Sequence, residues 1–325
     1  MRRILTDLNE RLVGQPLASA TLKDYAAQWL ARKKGEIGGV TYLAYKSAVN
    51  GFVDETPAKA NLGLQYVNPA DLAGFRDRSA AKASAKTANN KLKILRTMLQ
   101  TAWRDGFIME NPAAKVSILK TEESIRRPFT LAELKKLLTV ATDEWRGMVL
   151  VGVYTGQRLK DVATLRWNNV DLTRNEITLT TSKTKRRQFI PLAKTLQNYF
   201  GELSAADNPR APVFPKACAA VEKDGDVGRL SQQFYELLVV AGLVAARLGK
   251  DESRGVGRKG KRLRNEITFH SLRHTATSLL KNAGVSEAVA RDIIGHDSEQ
   301  MSRHYTHIED AAKRDALDRL PDLLG

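Results

Sequence analysis

Apolar positions in the first third of the chain recur at helical spacing and predict an all-helical N-terminal domain. Leu22, Tyr25, Ala26, Trp29 and Leu30 repeat at i, i+3, i+4, i+7 and i+8. Three further helices are predicted, one across residues 42–52, a short one from near 69 and one across 84–105. The last of these is expected to bury Leu92, Leu95, Leu99 and Trp103. Residues 1–20 show no such period and are predicted to be a tail, so the domain spans 21–113.

The pattern changes after residue 113 and predicts a second, mixed domain. Residues 114–127 have no period and are interpreted as a linker, while Thr130 and Glu133 form a capping-box pattern that opens a helix. Residues 177–180 and 189–192 read as two strands joined by a turn at 182–187. Most of the remainder of 128–325 is helical in pattern. The predicted fold is therefore two-domain and mainly α, with a small β-hairpin sheet in an α+β second domain.

Composition narrows the class of protein. Hydrophobic residues make up 42% of the chain and charged residues 27%, which is typical of globular proteins. No apolar run approaches the ~20 residues of a membrane span. The single cysteine, Cys218, excludes an internal disulfide framework and agrees with a reducing compartment. We therefore expect a cytoplasmic protein with no membrane partner.

The formal net charge of +16 points to a polyanionic partner, although a solvated basic surface is the simpler alternative. Residues 247–264 hold 8 basic residues against 2 acidic ones, with Gly255, Gly257 and Gly260 among them, which predicts a flexible cationic loop. Its candidate DNA-binding residues are Arg258, Lys259, Lys261 and Arg262. The predicted hairpin turn carries Lys183, Lys185, Arg186 and Arg187, and taken alone this basic turn is better explained by edge-strand protection.

The candidate chemistry lies in short helical segments of the second domain. All five histidines fall within residues 270–307. His270 and Arg273 share a helix face, Gly295 ends a later helix just before His296, and Tyr305 follows nine residues on. His270 and His274 are four apart, but the Glu of a His-Glu-x-x-His site and any Cys partner are missing, so no metal is expected.

An arginine further upstream completes this set. Arg158 follows a predicted glycine helix stop and begins the next helix, with Asp161 three residues on. In chain order, the set resembles the tyrosine site-specific recombinases, the phage integrase family. The resemblance covers the chain from about Thr21 and rests on Thr-Gly-x-Arg followed by an acidic residue, a lysine on a hairpin, His-x-Leu-Arg-His, Gly-His and a later tyrosine. The six matching positions are Arg158, Lys183, His270, Arg273, His296 and Tyr305.

The resemblance implies a role for each of these residues. Tyr305 would attack the phosphodiester to give a 3′-phosphotyrosyl enzyme, which conserves the bond energy without ATP, metal or cofactor. Arg158 and Arg273 would clamp the non-bridging oxygens, His270 and His296 would hydrogen-bond the same phosphate, and Lys183 would protonate the departing 5′-oxygen. Asp161 would support the site by orienting Arg158.

The resemblance also implies partners. The helical domain would be a core-type DNA-binding domain, and four protomers on two double-stranded DNA sites would exchange strands through a Holliday junction, with a possible directionality factor or host DNA-bending protein. The protein would be associated with the nucleoid and encoded by a bacterium or phage. The apolar segment after Glu309 would dock either on its own domain or on a neighbouring protomer.

Other functions remain as alternatives at this point. They are Xer-like chromosome or plasmid resolution, a type IB topoisomerase-like nicking-closing enzyme, a DNA-binding regulator without catalysis, and a metal nuclease. The last two are disfavoured because no catalytic position is missing and no carboxylate cluster is present.

Overall fold

The computed structural model of the chain describes residues 19–121, 126–182, 187–203, 208–225, 227–246, 265–295 and 310–322. The chain forms two compact units, Met1–Glu123 and Ser124–Gly325. The architecture is mainly helical with one small antiparallel sheet, as predicted. None of the described helices combines the length and the apolar composition that a bilayer crossing requires.

The described part of the first unit contains five α-helices around one apolar core. In chain order they are α1 (Leu22–Glu36), α2 (Gly39–Glu55), α3 (Pro57–Ala60), α4 (Pro69–Lys82) and α5 (Ala85–Arg104). The predicted helix starts are confirmed by their caps: the side chains of Thr21, Asn68 and Ser84 each accept the N–H three residues on. The core includes Tyr25, Trp29, Phe52 and Phe75, all with no exposed surface.

The prediction that Trp103 is buried is wrong. Its exposed fraction is 46%, whereas Ala102 beside it is fully buried. The buried positions of α5 run 88, 92, 95, 99 and 102, which keeps the helical spacing of three and four residues. Residue 103 lies about 100° further round the helix and therefore turns toward solvent.

Both ends of the predicted linker, residues 114–127, are fixed to a unit. Asn89 exchanges two hydrogen bonds with the backbone of Leu119, each 2.8 Å, and Arg96 Nη2 donates to the carbonyl of Val116. At the other end, the N–H of Arg127 donates to the carbonyl of Glu266 in the second unit. The predicted linker is therefore hydrogen-bonded to the first unit at residues 116 and 119 and to the second unit at residue 127, although its sequence pattern suggested a free connection.

The second unit surrounds a three-stranded antiparallel sheet in the order β1-β2-β3. The strands are β1 (Val170–Asp171), β2 (Glu176–Thr180) and β3 (Arg187–Pro191), and β2 pairs with β3 from Thr180 opposite Arg187 to Glu176 opposite Pro191. The described helices are α6 (Leu131–Val140), α7 (Asp143–Thr155), α8 (Leu159–Ala163), α9 (Lys194–Glu202), α10 (Pro215–Asp224), α11 (Gly228–Val240), α12 (Phe269–Asn282), α13 (Glu287–Ile294) and α14 (Asp310–Asp318).

The C-terminal segment docks on its own domain. Leu317 and Leu320 of α14 and the residues after it are part of the core of the second unit. The hydroxyl of Tyr154 donates to the carbonyl of Pro321 at 2.7 Å, and Thr195 donates to Asp322 at 3.2 Å. The described part of this segment, residues 310–322, thus packs within the single chain of the structure.

Candidate active site

The position of Arg158 is set by the glycine that ends α7. Gly156 is the helix C-cap with φ +63°, and a Cβ at this residue would lie 2.3 Å from Cδ1 of Ile294. Both the left-handed conformation and the lack of space require glycine here. Arg158 then caps α8 with an extended backbone, as predicted. Its Nη1 atom is buried without a hydrogen-bond partner among the described residues.

Asp161 contacts the sheet. Its Oδ1 accepts the N–H of Ser182 at 2.7 Å, at the end of β2, and its Oδ2 is buried without a partner in the described part of the chain. The described residues include no ion pair between Asp161 and Arg158. The hydrogen bond that the structure gives Asp161 therefore runs to the β2–β3 connection and not to Arg158.

Arg273 joins the ends of two helices. Its side chain lies in the second turn of α12 and is almost entirely buried. Nη1 donates to the carbonyl oxygen of Gly156 and Nη2 to that of Gly295, each at 2.7 Å. These glycines are the C-caps of α7 and α13, and both carbonyls would otherwise be orphan acceptors at a helix end.

His270 faces a concentration of positive charge. Its ring stands edge-on to that of His274, with 5.2 Å between ring centroids. Desolvation is the largest cause that lowers the pKa of His270 to about 4, and the charges of His274, Arg126, Arg273 and Arg158 contribute in that order of effect. The imidazole is therefore neutral at pH 7 and can accept a proton or a hydrogen bond.

Arg126 is a member of this group that sequence analysis missed, because it lies in the predicted linker. Its neighbours are fixed beside α12: the N–H of Arg127 donates to the carbonyl of Glu266 and that of Phe129 to Oγ1 of Thr275. Arg126 acts on the pKa values of both His270 and His274. Neither Arg126 nor Arg158 forms an ion pair with a described carboxylate. The arrangement is suited to bind one anion of phosphate type.

Gln188 is a second missed residue. It is 3% exposed and lies on the inner face of β3, while Phe189 points outward and Arg187 stacks on it at 4.9 Å. The sequence contained a signal for this residue. Gln188 lies two positions before the apolar Ile190, so both side chains are on the buried face of the strand, where a polar residue is unusual.

The other predicted site residues lie outside the described residues. These are Lys183, Lys185, Arg186, Arg258, Lys259, Lys261, Arg262, His296 and Tyr305. Within the described ranges there is no group of three His, Cys, Asp or Glu side chains placed to hold a metal ion.

The first unit carries a basic surface of its own on α5. This 20-residue helix contains five basic residues and no acidic one. Lys86, Lys93 and Arg104 are exposed and have no ion-pair partner among the described residues. Other basic residues of the unit are paired, for example Lys82 with Glu55 and Lys115 with Glu110.

Known recombinases are similar to this chain in sequence. The profile of the phage integrase family matches residues 127–312. A tyrosine recombinase XerC of Thermodesulfovibrio yellowstonii is 22% identical over 286 residues, which cover 83% of this chain and 86% of that protein. A tyrosine recombinase XerD of Listeria monocytogenes is 23% identical over 281 residues, 82% of this chain and 88% of its own.

Solved structures show the same fold. A lambda integrase dimer bound to a COC′ core site matches with a TM-score of 0.64 and 20% identity over 89% of this chain and all of that chain. The Tn1549 transposon integrase in complex with circular intermediate DNA matches with a TM-score of 0.60 and 19% identity over 91% of this chain and 99% of that chain. The family profile spans more than half of the sequence and includes Arg158, His270 and Arg273, so the chain belongs to the phage integrase family of tyrosine recombinases.

Proposed function

We propose that this recombinase cleaves and rejoins double-stranded DNA at specific sites, integrating or excising a mobile element. The observation that carries the proposal is that Arg273 and Arg158 lie close enough to the neutral His270 for their charges to lower its pKa, while Arg273 is held between the ends of α7 and α13. Two guanidinium groups can stabilise the charge that develops on the non-bridging oxygens of a phosphodiester under attack. Basic surface on α5 supports DNA contact by the first unit as well.

The proposed reaction is a transesterification. The phenolic oxygen of Tyr305 forms a bond to phosphorus, and the bond from phosphorus to the 5′-oxygen breaks. The phenolic proton passes to His270, and Lys183 gives a proton to the departing 5′-oxygen. One P–O bond replaces another, so no outside energy source is needed. Reversal by a 5′-hydroxyl of a second site joins the exchanged strands.

The complete cycle requires several copies of the chain. We propose that four protomers on two DNA sites exchange the strands in sequential pairs, by analogy with the lambda integrase tetramer bound to a Holliday junction. A directionality factor or a host DNA-bending protein would choose between integration and excision. The proposed place of action is the bacterial cytoplasm, at the nucleoid.

The covalent intermediate gives a direct test. Tyr305→Phe should bind a recombination site as the wild type does and form no covalent protein–DNA adduct on a nicked substrate. Tyr235→Phe is the matched control, because that hydroxyl donates to the carbonyl of Ala245 within the same unit. An adduct from Tyr305→Phe in undiminished yield would refute the nucleophile assignment.

A second function is favoured by one observation. Relatives named XerC and XerD cover more than four fifths of this chain, so resolution of chromosome or plasmid multimers is an alternative use of the same chemistry. A plasmid with two directly repeated sites, cloned from the DNA that flanks the gene, distinguishes the two. Recombination between sites at the ends of a mobile element supports integration, and recombination at a single chromosomal site supports resolution.

A further inference from the structure

Two buried polar side chains hold the base of the β2–β3 hairpin, and the reaction proposed above uses neither directly. Asp161 of α8 is 7% exposed and accepts the N–H of Ser182, the second residue after β2. Gln188 of β3 is 3% exposed and donates from Nε2 to the carbonyl of Asp292 in α13 at 3.3 Å. One strand end is thus bonded to α8 and the other to α13.

Gln188 also packs against Gly295, the C-cap residue of α13. A Cβ at Gly295 would lie 2.1 Å from Nε2 of Gln188, so the amide lies directly against that glycine. The carbonyl of Gly295 accepts from Arg273 on another side. The last turn of α13 is therefore held between β3 and α12, and the residue that follows it in the sequence is His296.

The unsatisfied polar atoms of these two side chains argue against a purely stabilising role. Asp161 Oδ2 and Gln188 Oε1 are buried without a hydrogen-bond partner among the described residues. A buried polar atom without a partner destabilises the folded state, and an apolar residue of similar size would avoid that penalty. The retained polar atoms make two directed contacts with backbone groups that an apolar residue cannot make.

We propose that Asp161 and Gln188 are positioning residues that fix the two ends of the β2–β3 connection relative to α8 and α13. This inference rests on the proposed function. Arg158 directly precedes α8, Lys183 directly follows Ser182 and His296 directly follows Gly295 in the sequence. The two side chains therefore fix the end of β2, just before the proposed general acid Lys183. They fix it relative to α8 and α13, which adjoin the proposed phosphate-binding residues.

A substrate that needs no general acid separates positioning from general structural damage. When sulfur replaces the bridging 5′-oxygen, the leaving group is a thiolate, which departs without protonation because thiols are much stronger acids than alcohols. Single-turnover cleavage would be measured on normal and 5′-phosphorothiolate DNA. Lys183→Ala is the reference for loss of the acid.

Gln188→Leu and Asp161→Ala should each cleave normal DNA at least about tenfold more slowly than the wild type, since small misplacements of catalytic groups are costly. Most of that loss should disappear on the sulfur substrate, as for Lys183→Ala. Asp161→Asn keeps an acceptor for the Ser182 N–H and should stay near the wild-type rate. DNA affinity should not change for any of these variants.

Matched controls exist in the same unit. Gln197 donates from Nε2 to the carbonyl of Leu192 at 2.8 Å, and Asp171 accepts two backbone N–H groups at 2.9 Å at the other side of the sheet. Gln197→Leu and Asp171→Ala should cleave both substrates at the wild-type rate. Gln188→Leu removes a buried oxygen that has no partner among the described residues, so this variant is expected to fold. If circular dichroism shows that Asp161→Ala is unfolded, the cleavage rates of Gln188→Leu alone test the positioning role.

Two outcomes overturn the inference. If Gln188→Leu is slowed equally on both substrates while wild type and Lys183→Ala behave as stated, the proposed function stands and the positioning role is wrong. If Gln188→Leu cleaves normal DNA at the wild-type rate, the contact with Gly295 is merely structural. A wild-type protein that forms no adduct on either substrate would instead show that the proposed function has failed, and the inference with it.

Discussion

Arg273 combines a structural role with the catalytic role proposed for it. Its guanidinium reaches the carbonyl oxygens of Gly156 and Gly295, which end two different helices. The sequence placed Arg273 beside His270 on one helix face, and this placement needs only the helical repeat. The two carbonyl contacts were not predictable, because they join residues 117 and 22 positions away in the chain.

This double contact predicts different effects for the two arginines. Arg273→Ala should lower the free energy of unfolding by about 2–3 kcal/mol, because it leaves two buried carbonyls without their donor. Arg158→Ala should change it by less than about 0.5 kcal/mol, since its Nη1 has no partner to lose. Urea unfolding of both variants at pH 7 measures the difference. Equal destabilisation by the two substitutions would contradict the structural role of Arg273.

The chemistry of Arg158 predicts a second contrast. Arg158→Ala should slow single-turnover cleavage by about a hundredfold or more, because a preorganised donor acts mainly on developing charge. Its affinity for the DNA site should fall by much less, because one phosphate contact contributes little to ground-state binding. Gel-shift and cleavage assays on the same DNA measure both. Equal losses would mean that Arg158 only holds DNA.

His270 predicts a proton linked to DNA binding. In the free protein its pKa is lowered to about 4. A bound phosphodiester offsets the nearby positive charges and should raise that pKa, so binding takes up a proton and strengthens as the pH falls below 6.5. Conversely, the free folded protein should lose stability as the pH falls from 6.5 toward 4, because the unfolded imidazole protonates more readily.

Nuclear magnetic resonance of the imidazole protons gives the pKa of His270 directly, without DNA and with a bound site. We expect the value with DNA to be higher. The control is His274, whose pKa is also lowered and whose signals are assigned by His274→Gln. If the pKa of His270 is the same with and without DNA, no phosphate binds beside His270 and the arginines that lower its pKa.

At the scale of elements, local signals predicted helix ends well. The capping box of Thr130 and Glu133 and the C-caps Gly156 and Gly295 all lie where the sequence indicated them. Such caps depend on hydrogen bonds within a few residues. The two-residue strand β1 was missed, because it exists only through pairing with β2.

The start of α6 predicts a pH-dependent contribution to stability. Arg127 makes two hydrogen bonds to Glu133 and is the largest cause that lowers the Glu133 pKa to about 2. A lowered pKa contributes stability that is present above pH 4.5 and lost as the pH falls toward 2. Glu133→Gln should therefore cost about 1–2 kcal/mol at pH 7 and much less near pH 2.

Urea unfolding at both pH values measures this contribution. Glu222→Gln is the control, because that carboxylate pairs with Arg166 but is largely exposed, and it should cost less than about 0.5 kcal/mol. A Glu133→Gln difference that is the same at both pH values would contradict the ion-pair explanation.

At the scale of the whole molecule, the net charge of +16 follows directly from the sequence. Which basic side chains lack a carboxylate partner among the described residues is known only from the structure. In the first unit the unpaired basic residues include Lys86, Lys93 and Arg104 of α5. Replacing these three with alanine should weaken DNA binding and lower the log–log salt slope by up to about 0.9 for each phosphate that is no longer neutralised.

The control for this experiment removes the same number of charges. Lys33, Lys82 and Lys115 are each paired with a carboxylate, and their replacement with alanine should change the slope less. Equal changes in the two triple variants would mean that net charge, and not the α5 surface, determines affinity. The cationic loop with Arg258 and Lys259 stays a separate prediction, testable by the same slope.

The carbonyl contacts of Arg273 have a consequence for the energy of reorganisation. A carbonyl oxygen is a neutral dipole, so it holds a guanidinium in place without cancelling its charge as a carboxylate would. These two contacts therefore immobilise the guanidinium before DNA binds, and they do so without neutralising its charge. In the proposed reaction, Arg273 therefore needs no rearrangement when negative charge grows on the phosphate, so that part of the reorganisation energy is removed when the protein folds.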